Sequence, residues 1–406
     1  MNRVLFVDDE QNLLSGLKHM LHPMRSSWGM GFALGGNEAL QMMRDEEPFD
    51  VVVSDLHMPG MQGTELLGRI SEAYPEAIRI VLSAKLNANT LSEAASVAHQ
   101  ILAKPCDPDN LRNIISRAFT LRERMETSPV KDMLMRMGSL PSVPVLYWQI
   151  RAEIESPEPS LERVAQIISK DPGMTAKVLK LANCDTSKND RVSNVMYATH
   201  MLGLENLKSF VLVAEMFDNI KEGEIAESFD VDALWHHGLL VGQCARKIAN
   251  AEVESGRTID DSYTAGLLHD IGLLILASKL PNEFNEALRY AEESKVTLIQ
   301  AERKVLGATH AEVGAYLLDL WGLADEIVIG ISHHFFPSGE PDDLYAVEDA
   351  EGFAPLMAVH AANYFVEEDE ASSDELGRAE LDMVYLESHG FGDHVSRWWD
   401  LCREEL

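Results

Sequence analysis

The stretch "RVLFVDDE", Arg3 to Glu10, places four apolar residues between a cation and three acids. A run so short and apolar, ended by turn-forming acids, reads as a buried strand. Behind it, "NLLSGLKHMLHPM" (Asn12–Met24) spaces Leu13, Leu14, Leu17 and Leu21 along one face of a helix. The same alternation continues outward. "FDVVVSDLHMPG" (Phe49–Gly60), "IRIVLSA" (Ile78–Ala84) and "QILAKP" (Gln100–Pro105) are further apolar strands separated by helical segments. Short apolar strands alternating with amphipathic helices predict a parallel sheet covered on both faces. Ligands of such sheets sit at the carboxyl ends of the strands.

Those ends carry chemistry. The first strand runs into Asp8, Asp9 and Glu10, the next clear one into Asp55, and the later two into Ser83 and Lys104. Converging carboxylates raise one another's pKa unless a hard cation neutralises them. Mg²⁺, an oxygen-seeking ion that keeps several waters, suits that task. One carboxylate is then free to attack phosphorus, with Lys104 and the Ser83 hydroxyl binding the transferred group's oxygens. Any one of these acids alone reads more simply as part of a solvated rim on a flavodoxin-like domain.

Taken together, "VLFVDDE", "VVSDLHMPGMQG", "IVLSA" and "AKP" resemble the receiver domain of two-component response regulators, over residues 1–121. The resemblance implies that Asp55 accepts a phosphoryl group from a sensor histidine kinase or phosphotransfer protein. It also implies that Asp8, Asp9 and Asp55 hold Mg²⁺, and that Ser83 and Lys104 complete the switch. Pro105 resembles the family's cis-proline turn. The position three before the lysine, usually aromatic, is Ile101.

Residues 122–139 read as a connector. Leu111, Ile114, Ile115, Ala118, Leu121 and Met125 form an apolar stripe that continues past the receiver's expected end. Packing within the chain is the simpler reading of the stripe, and a homodimer seam the alternative. Ser128-Pro129 and "GSLPSVP" mark the boundary.

From residue 140 to 337 the periodicity is helical nearly throughout. His236 and His237, His269 beside Asp270, His310, and the pair His333 and His334 fall in apolar helical contexts. A lone buried histidine is usually a satisfied core residue, but a set of this size is not. Imidazoles and a carboxylate from different helices are ligands for Fe, Mn or Zn. The order of these residues resembles the HD phosphohydrolase superfamily, with His269-Asp270 as the doublet. Leu273 stands where the cyclic-di-GMP phosphodiesterases of that superfamily have lysine, and "HHFFPSG" lacks their GYP signature. His360, followed by Asn363, falls where the superfamily's last metal-binding aspartate is expected.

"SLPSVP", "IISKDPGMTAKVLKLAN", "AGLLHDIGLLIL", "AERKVLGATHAEVGAYLLDLWGL" and "ISHHF" are similar to the HDOD domain, an HD-related output domain. That resemblance implies an α-helical, signalling, generally non-catalytic module acting on a protein partner, with cyclic-di-GMP signalling as its setting. A metal-dependent HD-type phosphohydrolase controlled by the receiver is the alternative. The expected architecture is therefore α/β followed by all-α. Residues 338–406 form an extension, with the acidic "VEEDEASSDE" read as a solvated loop and a final helix carrying Trp398, Trp399 and Leu401.

Bulk properties bound the function. With 66 acidic against 34 basic residues the net charge is −32, which disfavours nucleic acid and anionic lipid as partners. Cys106, Cys184, Cys244 and Cys402 show no CxxC spacing, so no thiolate zinc site or disulfide framework is expected. No signal pattern or bilayer-length apolar run is present, and a cytoplasmic location is expected.

Overall fold

A computed structural model describes residues 1–84, 88–137, 144–156, 158–184, 193–218, 225–226, 229–338, 345, 352–370, 380–403 and 405–406. The chain divides into two compact units. One comprises Met1–Thr127, Ser139–Pro157 and Leu320–Gly322; the other comprises Ser128–Gly138, Glu158–Asp319 and Leu323–Leu406.

In the first unit strands and helices alternate: β1 Arg3–Val7, α1 Gln11–Met20, β2 Gly29–Ala33, α2 Gly36–Asp45, β3 Val51–Asp55, α3 Gly63–Ala73, β4 Ile78–Ser83, α4 Ala88–Ala95, β5 Gln100–Ala103 and α5 Pro108–Thr127. The five strands pair in parallel in the order β2-β1-β3-β4-β5. This is the doubly wound, flavodoxin-like arrangement, in which the strand order reverses beside β1. Helices cover both faces, so β3 and β4 are buried along their apolar lengths. The register sets Val7 opposite Ser54, Asp55 opposite Leu82 and Ser83 opposite Ala103, which brings the expected residues to one edge. The Lys104–Pro105 peptide is cis. Helix α5 runs unbroken through Leu121, and Leu111, Ile115, Ala118, Leu121 and Met125 of its stripe are buried within the chain.

The remaining helices are α6 Val130–Met137, α7 Val145–Ile154, α8 Leu161–Ile168, α9 Pro172–Cys184, α10 Val195–Leu202, α11 Leu204–Asp218, α12 Val231–Glu252 and α13 Gly256–Leu268. They continue with α14 Ile271–Lys279, α15 Pro281–Ser294, α16 Leu298–Val305, α17 His310–Leu320, α18 Asp325–Ser332, α19 Pro355–Glu370, α20 Met383–Ser388 and α21 Val395–Cys402. Helix α7 groups with the first unit, where it packs on α4.

The second unit is built around α12 and α13, with α19 laid against both and α18 closing on α13 and α19. Helix α21 packs on α12 through Trp398, whose buried indole N–H donates to the Glu252 carboxylate at 2.7 Å. The last helices are thus part of this unit's core. The acidic run read as a loop begins instead as the end of α19, through Glu370; its remainder from residue 371 lies outside the described residues. Cys106, Cys244 and Cys402 are free thiols. Among the described residues no helix is long and apolar enough to cross a membrane.

Candidate functional site

Two clusters of charged side chains stand out, one in each unit. At the carboxyl edge of the sheet, the Lys104 ammonium donates to Asp8 Oδ2 and Asp55 Oδ1, both at 2.7 Å. Burial alone would lower the lysine's pKa, but the bonds to Asp55 and Asp8 outweigh it and raise it. Asp8 is buried and its second oxygen accepts the Glu10 N–H, whereas Asp9 is exposed. Ser83, also buried, ends β4, and its carbonyl accepts the Lys104 N–H at 2.8 Å. Carboxylate oxygens at a partly open edge fit Mg²⁺, which would be held by Asp8, Asp9 and Asp55.

The second cluster is assembled from helix ends. Asp270 joins α13 to α14 at the N-cap position, where aspartate is favoured for capping. Its side chain makes no capping bond. It turns instead toward imidazoles from four places. His269 Nε2 lies 3.3 Å and His237 Nε2 3.8 Å from Asp270 Oδ2; His310 Nε2 lies 3.2 Å and His334 Nε2 3.5 Å from Oδ1. Close helix crossings make this possible. A Cβ at Gly266 of α13 would sit 2.9 Å from Gly242 Cα of α12, and one at Gly272 of α14 only 1.9 Å from His310 O.

The outward ring atoms fix the tautomers. His269 Nδ1 donates to Gly266 O and His334 Nδ1 to Ile331 O, both at 2.7 Å. Carbonyls only accept, so each Nδ1 carries a proton and each ring turns Nε2 toward Asp270. His310 Nδ1 instead faces both oxygens of Glu302, at 2.9 and 2.8 Å, and Glu302 also accepts the His310 backbone N–H.

His269, His310 and His334 Nε2 and Asp270 Oδ1 are all buried without a hydrogen-bond partner. Burial disfavours charge on Asp270, but the facing His269, His310 and His334 hold its carboxyl well below the usual range. Burial would also lower His310, but Glu302 and Asp270 push it up to about 10. Burial drags His334 down to about 4. Imidazole nitrogens and a carboxylate oxygen that converge from different helices are a donor set that fits a borderline metal ion. Among the described residues, two overlapping triads have metal-compatible spacing: His237–His269–Asp270 and Asp270–His310–His334.

Two residues expected with this cluster belong to neither triad. His333 is the C-cap of α18; its Nδ1 lies 2.5 Å from Ser332 Oγ and its ring lines a separate cavity with Arg303 and Glu312. His360 uses both ring nitrogens elsewhere, Nδ1 on His334 O at 2.7 Å and Nε2 accepting the Asp382 N–H at 2.8 Å. Two further residues join the cluster: Asn363, marked in the sequence only as following His360, and Glu302, to which no sequence signal pointed. Asn363, one turn after His360, places Oδ1 3.0 Å from His237 Nε2. Glu302, fully buried on α16, holds His310. Its position eight residues before His310 carries no periodic signal.

An acid pair clasped by a lysine at the edge of a 2-1-3-4-5 sheet is the architecture of phosphoacceptor receiver domains, here followed by a helical output unit. Comparison with known families agrees: residues 4–116 match the response regulator receiver domain and residues 140–337 match the HDOD domain. The chain carries an N-terminal receiver domain and a C-terminal HDOD domain. An uncharacterized protein of Treponema pallidum (strain Nichols) is 26% identical over 233 residues, 54% of this chain and 42% of that protein. A two-component response regulator of Arabidopsis thaliana is 29% identical over 151 residues, 35% of this chain and 38% of the relative. The chain thus spans less than half the length of these curated relatives. Among solved structures, an HDOD domain protein of unknown function from Geobacter sulfurreducens is 25% identical, with a TM-score of 0.49, covering 68% of this chain and 89% of that one. The receiver domain of an HD domain-containing protein from Pseudomonas fluorescens Pf-5 is 29% identical, with a TM-score of 0.29, covering 30% and 97%. Receiver domains generally bind Mg²⁺ and imply a kinase or phosphotransfer partner.

Proposed function

We propose that a sensor histidine kinase or phosphotransfer protein phosphorylates Asp55 in the cytoplasm, and that this controls what the HDOD domain presents to a protein partner. The observation that carries this reading is the Lys104 ammonium, shared equally between Asp8 and Asp55 at 2.7 Å. A phosphoryl group on Asp55 brings about two negative charges to that point. Lys104 is then drawn from Asp8 toward the new oxygens, and the Ser83 hydroxyl at the end of the next strand follows. Mg²⁺ at Asp8, Asp9 and Asp55 would supply charge neutralisation. The consequence is a shift among arrangements already accessible to the chain. On the HDOD resemblance, the partner we propose is a signalling protein, an enzyme of cyclic-di-GMP turnover or another signalling component. Acetyl phosphate or beryllofluoride with Mg²⁺ should change the tryptophan fluorescence of the wild type and leave Asp55→Asn unchanged; an equal response in that variant refutes the assignment. A pull-down comparing beryllofluoride-loaded protein with Asp55→Asn tests the output partner.

The imidazoles around Asp270 favour a second reading, a metal-dependent phosphohydrolase using His237, His269, Asp270, His310 and His334 with Fe, Mn or Zn. A bound metal ion would supply Lewis acidity toward phosphorus. Against it stands the approach to Asp270, a cavity of about 10 Å³ lined by Val213, Leu234, Trp235, Gly238, Leu267 and Ile271. That is room for about one water, where small-molecule sites run to roughly 300–1,000 Å³. Stoichiometric metal with cyclic-dinucleotide hydrolysis abolished by Asp270→Ala would establish the second reading over the non-catalytic one.

A further inference from the structure

Two thiols outside both clusters face each other inside the second unit. Cys244 lies in the middle of α12 and Cys402 closes α21, and both are fully buried. The two helices pack antiparallel. Toward one end Arg397 donates to Ala251 O and Trp398 to Glu252; toward the other Lys247 donates to Leu401 O at 3.4 Å and pairs with Glu405 at 2.6 Å. That register sets Cys402 against Cys244, thiol hydrogen-bonded to thiol. A single buried cysteine is ordinarily a small apolar core residue. A facing pair carries more chemistry, because each sulfur stands where the other can attack it.

The contact also governs when they react. The bond to Cys244, and then burial, push the Cys402 thiol up, against the opposing pull of the Lys247 ammonium. While α21 is seated, Cys402 is therefore a thiol rather than the nucleophilic thiolate. Lifting the last turn of α21 returns it to water and toward its ordinary acidity. Cys402 ends a short helix and is uncovered first, whereas Cys244 stays within α12 to resolve the product. One equivalent of hydrogen peroxide then balances the chemistry. The Cys402 sulfur attacks a peroxide oxygen, the O–O bond breaks, and a sulfenic acid and water result. The Cys244 sulfur attacks the sulfenic sulfur; the S–S bond forms, the S–O bond breaks, and a second water leaves. The two thiols lose two electrons and two protons, and the peroxide becomes two waters.

We propose that Cys244 and Cys402 are a peroxide-responsive dithiol, oxidised on opening of α21 to an intrachain disulfide that clamps α21 onto α12. Disulfides in a reducing compartment are usually transient and redox-sensing, and cellular thiols would undo this one. The test uses the full-length chain carrying Cys106→Ser and Cys184→Ser, which leaves the pair as the sole source of thiol. After treatment with millimolar hydrogen peroxide the intact mass should fall by two hydrogen atoms, and non-reducing peptide mapping should join the Cys244 and Cys402 peptides. The thermal midpoint should rise by roughly 4–16 °C and return on addition of dithiothreitol. Trp398→Phe, which loosens α21 from Glu252, should speed the linkage at least about fivefold. Lys247→Met, which releases Leu401 and Glu405, is the second variant and should speed it too, even if Trp398→Phe fails to fold. An unchanged mass, a gain of oxygen without the linkage, or a disulfide joining two chains overturns the proposal. A linkage that forms no faster in either folded variant overturns the opening step.

Discussion

Replacing Gly272 by alanine adds one methyl group where two backbones touch. The new Cβ would lie 1.9 Å from His310 O, 2.6 Å from His310 C and 3.0 Å from its Cα. None of these atoms can rotate away as a side chain would. Ordinary contact begins at 3.4 Å, so α14 and α17 must separate by about 1.5 Å, the difference between 3.4 and 1.9 Å. Overpacking against rigid atoms belongs at the upper end of the usual 1–3 kcal/mol range, about 3 kcal/mol. For a unit of this size that lowers the thermal midpoint by roughly 6–12 °C. The separation also draws Asp270 away from His310, so under the metal-dependent reading Zn²⁺ uptake should weaken along with stability. The assay is hydrogen–deuterium exchange resolved by peptide: α13, α14 and α17 should lose protection while β1, β3 and β4 keep theirs. Gly256→Ala is the control. A Cβ there meets nothing within 4 Å, and a gain of about 0.4–1 kcal/mol is expected from the stiffer unfolded chain. If Gly272→Ala is as stable as Gly256→Ala, the crossing is not what assembles the cluster.

Three further perturbations have defined outcomes. Lys104→Met should leave Asp8 and Asp55 repelling each other; phosphoryl uptake from acetyl phosphate is assayed by intact mass, and the fluorescence response that follows uptake should be lost. In the receiver, burial and then the Arg79 guanidinium, 2.8 Å from Nε2, hold the His99 pKa well below 6.5. A depressed histidine contributes stability above its unfolded pKa and loses it as pH falls below that value. The receiver's thermal midpoint should therefore drop as pH is lowered below about 6.5, and His99→Gln should flatten that drop; an unchanged slope refutes the assignment. Trp398→Phe removes the 2.7 Å bond to Glu252, and leaving that buried carboxylate short of a donor should cost about 1–3 kcal/mol in guanidinium unfolding.

The receiver was almost wholly legible because the residues expected at its site stand at strand ends, and a strand's end is visible as the point where an apolar run stops. Asp8, Asp55, Ser83 and Lys104 needed only the strand order to meet. The helical unit hid more. Its ligand-like histidines could be counted, but neighbours on a helix diverge by about 100°, so sequence cannot tell which of His333 and His334 turns inward. His360 and Asn363 share one side of α19 a turn apart, and nothing in their spacing shows that Asn363 reaches His237 while His360 ties down Asp382. Glu302 reads as one more acid on an amphipathic helix. Only the packing of α16 reveals that it is buried against His310.

The match to the HDOD family spans residues 140–337, but the folded unit extends past it. Helix α19 supplies Asn363 and covers α12, α13 and α18, and α21 plugs the far end of α12 with Trp398. A fragment cut at Pro337 would bare the apolar flank of its two central helices and release His237 from its amide partner. Such a fragment should aggregate, and any metal stoichiometry measured on it would describe a different site. For this chain, the matched family segment and the foldable unit have different edges.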